Sequence, residues 1–245
     1  MEYKTFLEFR KLCAYFKSIV KNIDCDLPAL KNDIQKLVDE KGSPAYTVNR
    51  AVVYNDALSN VTQDNDIRLI LLGDNPGRRE QESGLYLVGP SGKIAEGFFK
   101  RENTLGIDFR KNVIILNKCP IHTPRTKDLE KLRLTPCIRG GTIWSCVENS
   151  EKLMVDLLIK FQSLLKVPVW ITGYSEMRKN GIFDSYTNAL RDAIAHDSEI
   201  KKNIFIYRHF SMNQFTIDLN KQRTEGETVK SALKRIGTAY RDRIL

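Results

Sequence analysis

Four short apolar runs constrain this chain most: "IRLILLG" at 67–73, "NVIILN" at 112–117, "VPVWITG" at 167–173 and "NIFIYRHFS" at 203–211. Each is nearly continuous in apolar residues rather than alternating, the pattern of a strand buried on both faces, and helix-sized segments such as 147–165 and 175–195 lie between them. Strands of that kind joined by helices build a parallel sheet. The expectation is therefore an α/β fold, a three-layer αβα arrangement with a central four-stranded parallel sheet. Upstream, Phe6, Phe9, Cys13, Phe16 and Val20 recur at helical spacing, and Asp26 with Pro28 opens a second helical stretch that ends near Gly42. Residues 1–60 read as an α-helical N-terminal extension packed on a domain at 61–245.

In parallel sheets of this type ligands bind beyond the carboxyl ends of the strands. The residues at those ends are "GDNPG" (73–77), "NKCP" (117–120), "GYSE" (173–176) and "HFSMN" (209–213). The glycines and prolines of 69–99 invite a phosphate-cradle reading, which the spacing rejects. Around Gly92-Lys93, a Walker A loop needs an upstream glycine where Leu87 stands and a hydroxyl residue where Ile94 stands. A dinucleotide turn runs from GxGxxG straight into a helix, whereas "GDNPGR" carries Pro76 where that turn closes. What survives is a tight backbone, set by Gly73, Pro76 and Gly77, around two polar side chains, Asp74 and Asn75.

The balance of 39 Lys and Arg against 30 Asp and Glu, a formal charge of +9, favours a polyanionic partner such as nucleic acid. The basic stretches 124–139 and 221–243 are candidates to track phosphates, or else solvated helix faces. Five cysteines with no CxxC pair support neither a disulfide framework nor a zinc ribbon. "MEYKTFLEFRK" places charges where a signal peptide is apolar, and no apolar run approaches membrane-spanning length. These features lead to the expectation of a monomeric protein of the cytoplasm, at the nucleoid in a bacterial source, with no membrane partner, no metal and no cofactor.

"GDNPG" at a strand end resembles the first motif of the uracil-DNA glycosylase superfamily, a glycine, a variable residue, Asp or Asn, Pro, and Gly or Tyr. The frame from Gly84 to Gly92 is similar to the segment that follows this motif in the iron–sulfur branch. "NKCP" is similar to the Asn-x-Cys-Pro of the single-strand-selective monofunctional branch, and His209-Phe210-Ser211 to the His-Pro-Ser that ends the fourth strand. The chain thus has mixed features of both branches. The resemblance covers 67–215 and implies a monofunctional DNA base-excision glycosylase that hydrolyses the N-glycosidic bond of a flipped uracil or related damaged base, in single- or double-stranded DNA. The alternative is a superfamily member that is catalytically weak or inactive and serves as a nucleic-acid binder.

Base excision requires the base out of the stack and read along its Watson–Crick edge. Asn117 is placed to answer uracil O4 and N3–H with one amide, His209 to donate to O2 as negative charge builds on the leaving base, and Asn75 or Asp74 to hold the attacking water. Gly73, Pro76 and Gly77 would shape the base pocket. The family's stacking aromatic falls on Leu87, so the base stacks either there or on Tyr86. Ser211, Met212 and Asn213 would contact DNA, with Met212 or Phe215 as an apolar wedge in the vacated stack. Simpler readings stand beside these: Asn75 as a turn former before proline, Asn117 as a helix cap, and Asp74 as solvated or paired with Arg78 or Arg79. Cys119 and Cys137 resemble half of the iron–sulfur branch's ligand set, but Cys13 and Cys25 do not supply the other half, so no cluster is expected.

Overall fold

The computed structural model describes residues 1–26, 28–40, 45–133, 136–139 and 142–245, with the side chains at 24–26, 28, 136–139 and 142–144 left out of the description. Four of its strands form one parallel sheet: β1 (Leu69–Gly73), β2 (Val113–Asn117), β5 (Val169–Thr172) and β6 (Ile204–Tyr207), in the order β2-β1-β5-β6. All residues of β1, β2 and β5 are buried, which is why these runs carry no polar alternation. A separate antiparallel hairpin pairs β3 (Pro136–Arg139), the end of the basic stretch 124–139, with β4 (Thr142–Ser145) just beyond it.

Two helices lead the chain, α1 (Tyr3–Asp26) and α2 (Pro28–Asp39). Short α3 (Arg78–Ser83) and longer α4 (Pro90–Arg101) follow β1, and α5 (Leu129–Arg133) follows β2. The long α6 (Cys146–Leu165) begins at Ser145, whose hydroxyl accepts from the Glu148 amide. Then come α7 (Asp184–Ile194), α8 (Ser198–Lys202), α9 (Gln214–Gln222) and α10 (Val229–Ile244). The segment 175–195 is not one helix. A 3-10 turn at Tyr174–Met177 and a left-handed Asn180 before Gly181 interrupt it, as an Asn-Gly pair does in a turn.

The sheet is the middle of three layers. On one face Trp170 lies near the Phe99 and Phe215 rings, at 5.5 and 5.9 Å, and Tyr207 donates to the Leu233 carbonyl, so α4, α9 and α10 close this side. The other helical layer is built on α6, with α1, α5 and α7 packed beside it. The apolar face of α1 seats Phe9 on Phe161 of α6 at 5.5 Å between ring centres and Phe16 on Tyr54 at 5.1 Å. The chain between α2 and β1 is stitched to the loop after β2: Val53 donates to the Pro120 carbonyl, His122 donates to the Ala51 carbonyl, and Val52 bridges to Ile121. Among the described residues no helix is long and apolar enough to cross a membrane.

Candidate active site

Parallel pairing in register puts Gly73 of β1 beside Asn117 of β2, so the loops that leave the two strands run side by side. The Lys118 amide donates to the Gly73 carbonyl and the Cys119 amide to that of Asp74. Between these loops, the start of α4 and the loop after β6 opens a cavity of about 580 Å³, within the range of small-molecule sites. Its lining includes Asp74, Asn75, Gly77, Leu87, Asn117, His209 and Ser211.

Asn117 sits on the cavity floor and is 3 % exposed. Its amide has no hydrogen-bond partner among the described residues, and it caps no helix, since the next helical turn is capped by Arg125. Gly73 makes room for it: a Cβ there would stand 2.6 Å from Asn117 Oδ1. Asn75 is differently placed. Its Nδ2 donates to the Ile121 carbonyl at 3.0 Å and to Thr123 Oγ1 at 2.8 Å, so both amide hydrogens are committed and Oδ1 is the atom left to accept.

Leu87 also lines the cavity, with a backbone φ of 50°, a left-handed conformation that is strained for a bulky residue. Three contacts hold it there. Glu80 accepts from the amides of Val88 and Gly89, Arg110 donates to the Leu87 carbonyl, and Gly92 leaves space where a Cβ would meet that carbonyl oxygen at 1.6 Å. Tyr86 turns away from the cavity. It is buried, and its hydroxyl donates to the Val53 carbonyl.

His209 enters from the loop after β6. The Ser211 amide donates to its Nδ1 at 3.1 Å, so in the neutral ring Nε2 carries the proton. Phe210 anchors this loop: it is fully buried and stacks on Phe215 at 4.3 Å between ring centres. That burial leaves Phe215 inside the protein and unable to act as a wedge. Met212, 84 % exposed, follows with φ 50°, and Asn213 with φ 57°; neither lines the cavity. Gly73 and Pro76 shape the loop from behind rather than lining the cavity, with the Pro76 carbonyl accepting from Thr123 N and contacting His122 Nδ1 at 2.9 Å.

Asp74 pairs with neither Arg78 nor Arg79. Its Oδ1 accepts from Lys118 Nζ at 2.6 Å, and its Oδ2 is 4.0 Å from His209 Nε2. Burial alone would push this carboxyl up, but the Lys118 ammonium, the facing His209 and the Lys118 hydrogen bond outweigh it and hold Asp74 below the ordinary carboxylate range. Lys118 is the residue the sequence reading passed over inside "NKCP". The pairing follows from the strand register: with Gly73 opposite Asn117, the next residues of the two loops are Asp74 and Lys118.

Arg78, Arg79, Arg125 and Lys127 line the same cavity, whereas no residue of 221–243 does. From the same basic stretch, Lys131 pairs with Glu40 at the surface and Arg133 with the buried Glu151. No group of metal-ligating side chains stands together among the described residues, and Cys25 and Cys137 lie outside the described side chains.

Comparison with curated proteins finds no match. A family model does match, over residues 60–154, a stretch that carries Asp74, Asn75, Leu87 and Asn117 and stops short of His209. The matching model is that of the Uracil DNA glycosylase superfamily, which typically has DNA glycosylase activity.

Proposed function

We propose that the protein is a monofunctional DNA glycosylase that hydrolyses the N-glycosidic bond of a flipped uracil or a closely related damaged base. The observation that carries this reading is the Asn117 amide on the cavity floor, which makes no hydrogen bond to the described residues and so leaves a donor and an acceptor free for a ligand. Uracil presents an acceptor, O4, beside a donor, N3–H, and one amide answers both.

The chemistry follows from the groups around that floor. As the bond to the sugar breaks, negative charge spreads into the base and positive charge onto the sugar. The Nε2–H of His209 is a preorganised donor for the base oxygen O2. Asn75 Oδ1, fixed because its Nδ2 is tied to Ile121 and Thr123, accepts from the water that attacks C1′. The anionic Asp74 favours the cationic sugar. Leu87 gives the base an aliphatic face instead of a ring. Aromatic stacking is worth roughly 1–3 kcal/mol per base, so Leu87 supports weaker ground-state binding. Lys118 is fully buried, donates to Asp74 and Thr172 and does not line the cavity, which supports water rather than an amine as the nucleophile. Arg78, Arg79, Arg125 and Lys127 at the cavity suit phosphates on either side of the flipped nucleotide, and exposed Met212 suits the gap it leaves.

The test is incubation with a uracil-containing single strand and with the same uracil in a duplex, followed by alkali. Nicking at uracil is the expected result, with no borohydride-trapped adduct. Retained binding without nicking would instead select the non-catalytic nucleic-acid binder.

A further inference from the structure

Lys118 raises a question that fold stability does not answer. Its ammonium is fully buried, donates to Asp74 Oδ1 at 2.6 Å and to the Thr172 carbonyl at 2.5 Å, and stands 4.7 Å from the centre of the Phe183 ring. Taking two charges out of water is expensive, and an apolar pair of similar volume generally serves stability as well or better. The end of β5 is nevertheless shaped around this pair. Gly173 adopts φ 92°, and a Cβ there would stand 2.5 Å from Asp74 Oδ1 and 3.1 Å from Lys118 Nζ.

The geometry on the far side of Asp74 shows what the pair can do. With Oδ1 taken by Lys118, Oδ2 faces His209 Nε2 at 4.0 Å, too far for a hydrogen bond, and that nitrogen carries the proton because Nδ1 accepts from Ser211. A carboxylate with no cation behind it would pull Nε2–H onto itself, or take up a proton. We propose that Lys118 is a positioning residue of the hydrolytic site, whose buried ammonium anchors Asp74 and keeps it from capturing His209, so that Nε2–H stays directed at the base. The other charged groups lining this cavity are Arg78, Arg79 and Glu80 from α3, Arg125 and Lys127 after β2, and Glu176 after β5, and none of them makes an ion pair with Asp74 among the described residues. The proposal rests on the glycosylase reading for its consequence, but the proton balance it describes can be read without turnover.

The experiment uses the full chain as wild type, Lys118→Met, Asp74→Asn and the double variant. Imidazole ¹⁵N resonances of His209 are followed across pH, and single-turnover cleavage of a uracil-containing single strand is measured over the same range. In Lys118→Met the Asp74–His209 pair takes up its first proton at a higher pH than in the wild type. The acid limb of the cleavage profile moves up with it, lowering the rate about tenfold for each pH unit of displacement when measured below both limbs. Removing the carboxylate as well, in the double variant, returns the imidazole titration toward that of the wild type. An unmoved titration and profile in Lys118→Met, whatever its melting temperature, overturns the proposal and leaves Lys118 a structural residue. Where Lys118→Met does not fold, the double variant is compared with Asp74→Asn; the lysine retained in the latter must lower the imidazole titration, and equal titrations overturn the proposal. A wild type that cleaves no uracil strand refutes the glycosylase reading, while the imidazole titration still decides the part played by Lys118.

Discussion

Replacing Asn117 by Asp changes one atom in the reading of the base and so isolates it. The side chain lies on the cavity floor against Gly73, where a carboxylate fits the same outline. As an anion it offers acceptors only, so the contact with N3–H survives and the contact with O4 becomes acceptor against acceptor. An unanswered polar group in such a site costs about 1–3 kcal/mol, and at about 1.4 kcal/mol per factor of ten this is roughly a 5- to 150-fold loss in kcat/KM. The pH dependence sharpens the expectation. Burial raises the pKa of an Asp at 117. Once protonated it again has one donor and one acceptor, as the amide does. Asn117→Asp should therefore be weak at neutral pH and recover as pH falls through its raised pKa, opposite in sense to a wild type that needs its own carboxylate ionised. Cytosine, with its bare N3 and N4 amine, reverses both demands of uracil, so the anionic variant gains at most a trace of activity on it. The assay is single-turnover cleavage of uracil and cytosine strands from acid to neutral pH. Parent-like uracil cleavage at neutral pH would refute the reasoning and place base recognition elsewhere.

Three further outcomes are expected. His209→Ala should lower the single-turnover rate by about 10²–10³ with folding intact, as loss of an oxyanion-type donor does, and a loss of only a few fold would pass that role to backbone amides. Asn75→Ala should cut the rate severely while leaving uracil-DNA binding nearly unchanged; because Nδ2 also tethers Thr123, Thr123→Val is the control, and an equal loss there would reduce Asn75 to a tether. Stability should carry two opposed pH dependences: burial lowers the buried His122 to about 4, so its contribution is lost as pH falls from about 6.5 toward 4, while burial raises Glu151, despite Arg133, to about 7, so its contribution is lost as pH rises from about 4.5 to 7. Glu151→Gln should therefore leave a melting temperature that climbs with pH across 4 to 6.5 more steeply than in the wild type, and an unchanged slope would show that Glu151 does not titrate there.

The four strands were legible because burial on both faces suppresses polar alternation, and the segments at 69–73, 113–117, 169–172 and 204–207 lie inside the apolar runs that announced them. The helical extension was legible through the spacing of Phe9, Cys13 and Phe16. Local signals failed where long-range contacts decide. The hairpin at 136–145 has four-residue strands too short to show a period, and the break in 175–195 turns on Asn180-Gly181, a turn signal that the helix-sized reading of this segment did not use. Nothing in the sequence around Leu87 announces a left-handed leucine, because the space it needs is supplied by Gly92 and the tether by Glu80.

The same distinction runs through the site. Asn75, Asn117 and His209 stand at strand ends, and a parallel sheet brings strand ends together whatever the details of packing, so sequence position alone was enough to gather them. Asp74 and Lys118 are separated by 44 residues and meet only because β1 and β2 are neighbours in one particular register. Read singly, each is a charge beside a strand end, and charges there are usually solvated. Once Gly73 is set against Asn117, however, the following pair is forced together in a place where Lys118 is sealed from water and Asp74 meets it only at the cavity, and opposite charge becomes the arrangement that lets both remain ionised. Phe210 obeys the same logic. In the loop sequence it is only a departure from proline, but stacked on Phe215 it fixes the backbone from which His209 reaches the cavity and Met212 points into solvent. A Phe210→Pro exchange would thus remove an anchor and, instead of restoring the family's loop, release the histidine that the rest of the site is arranged to face.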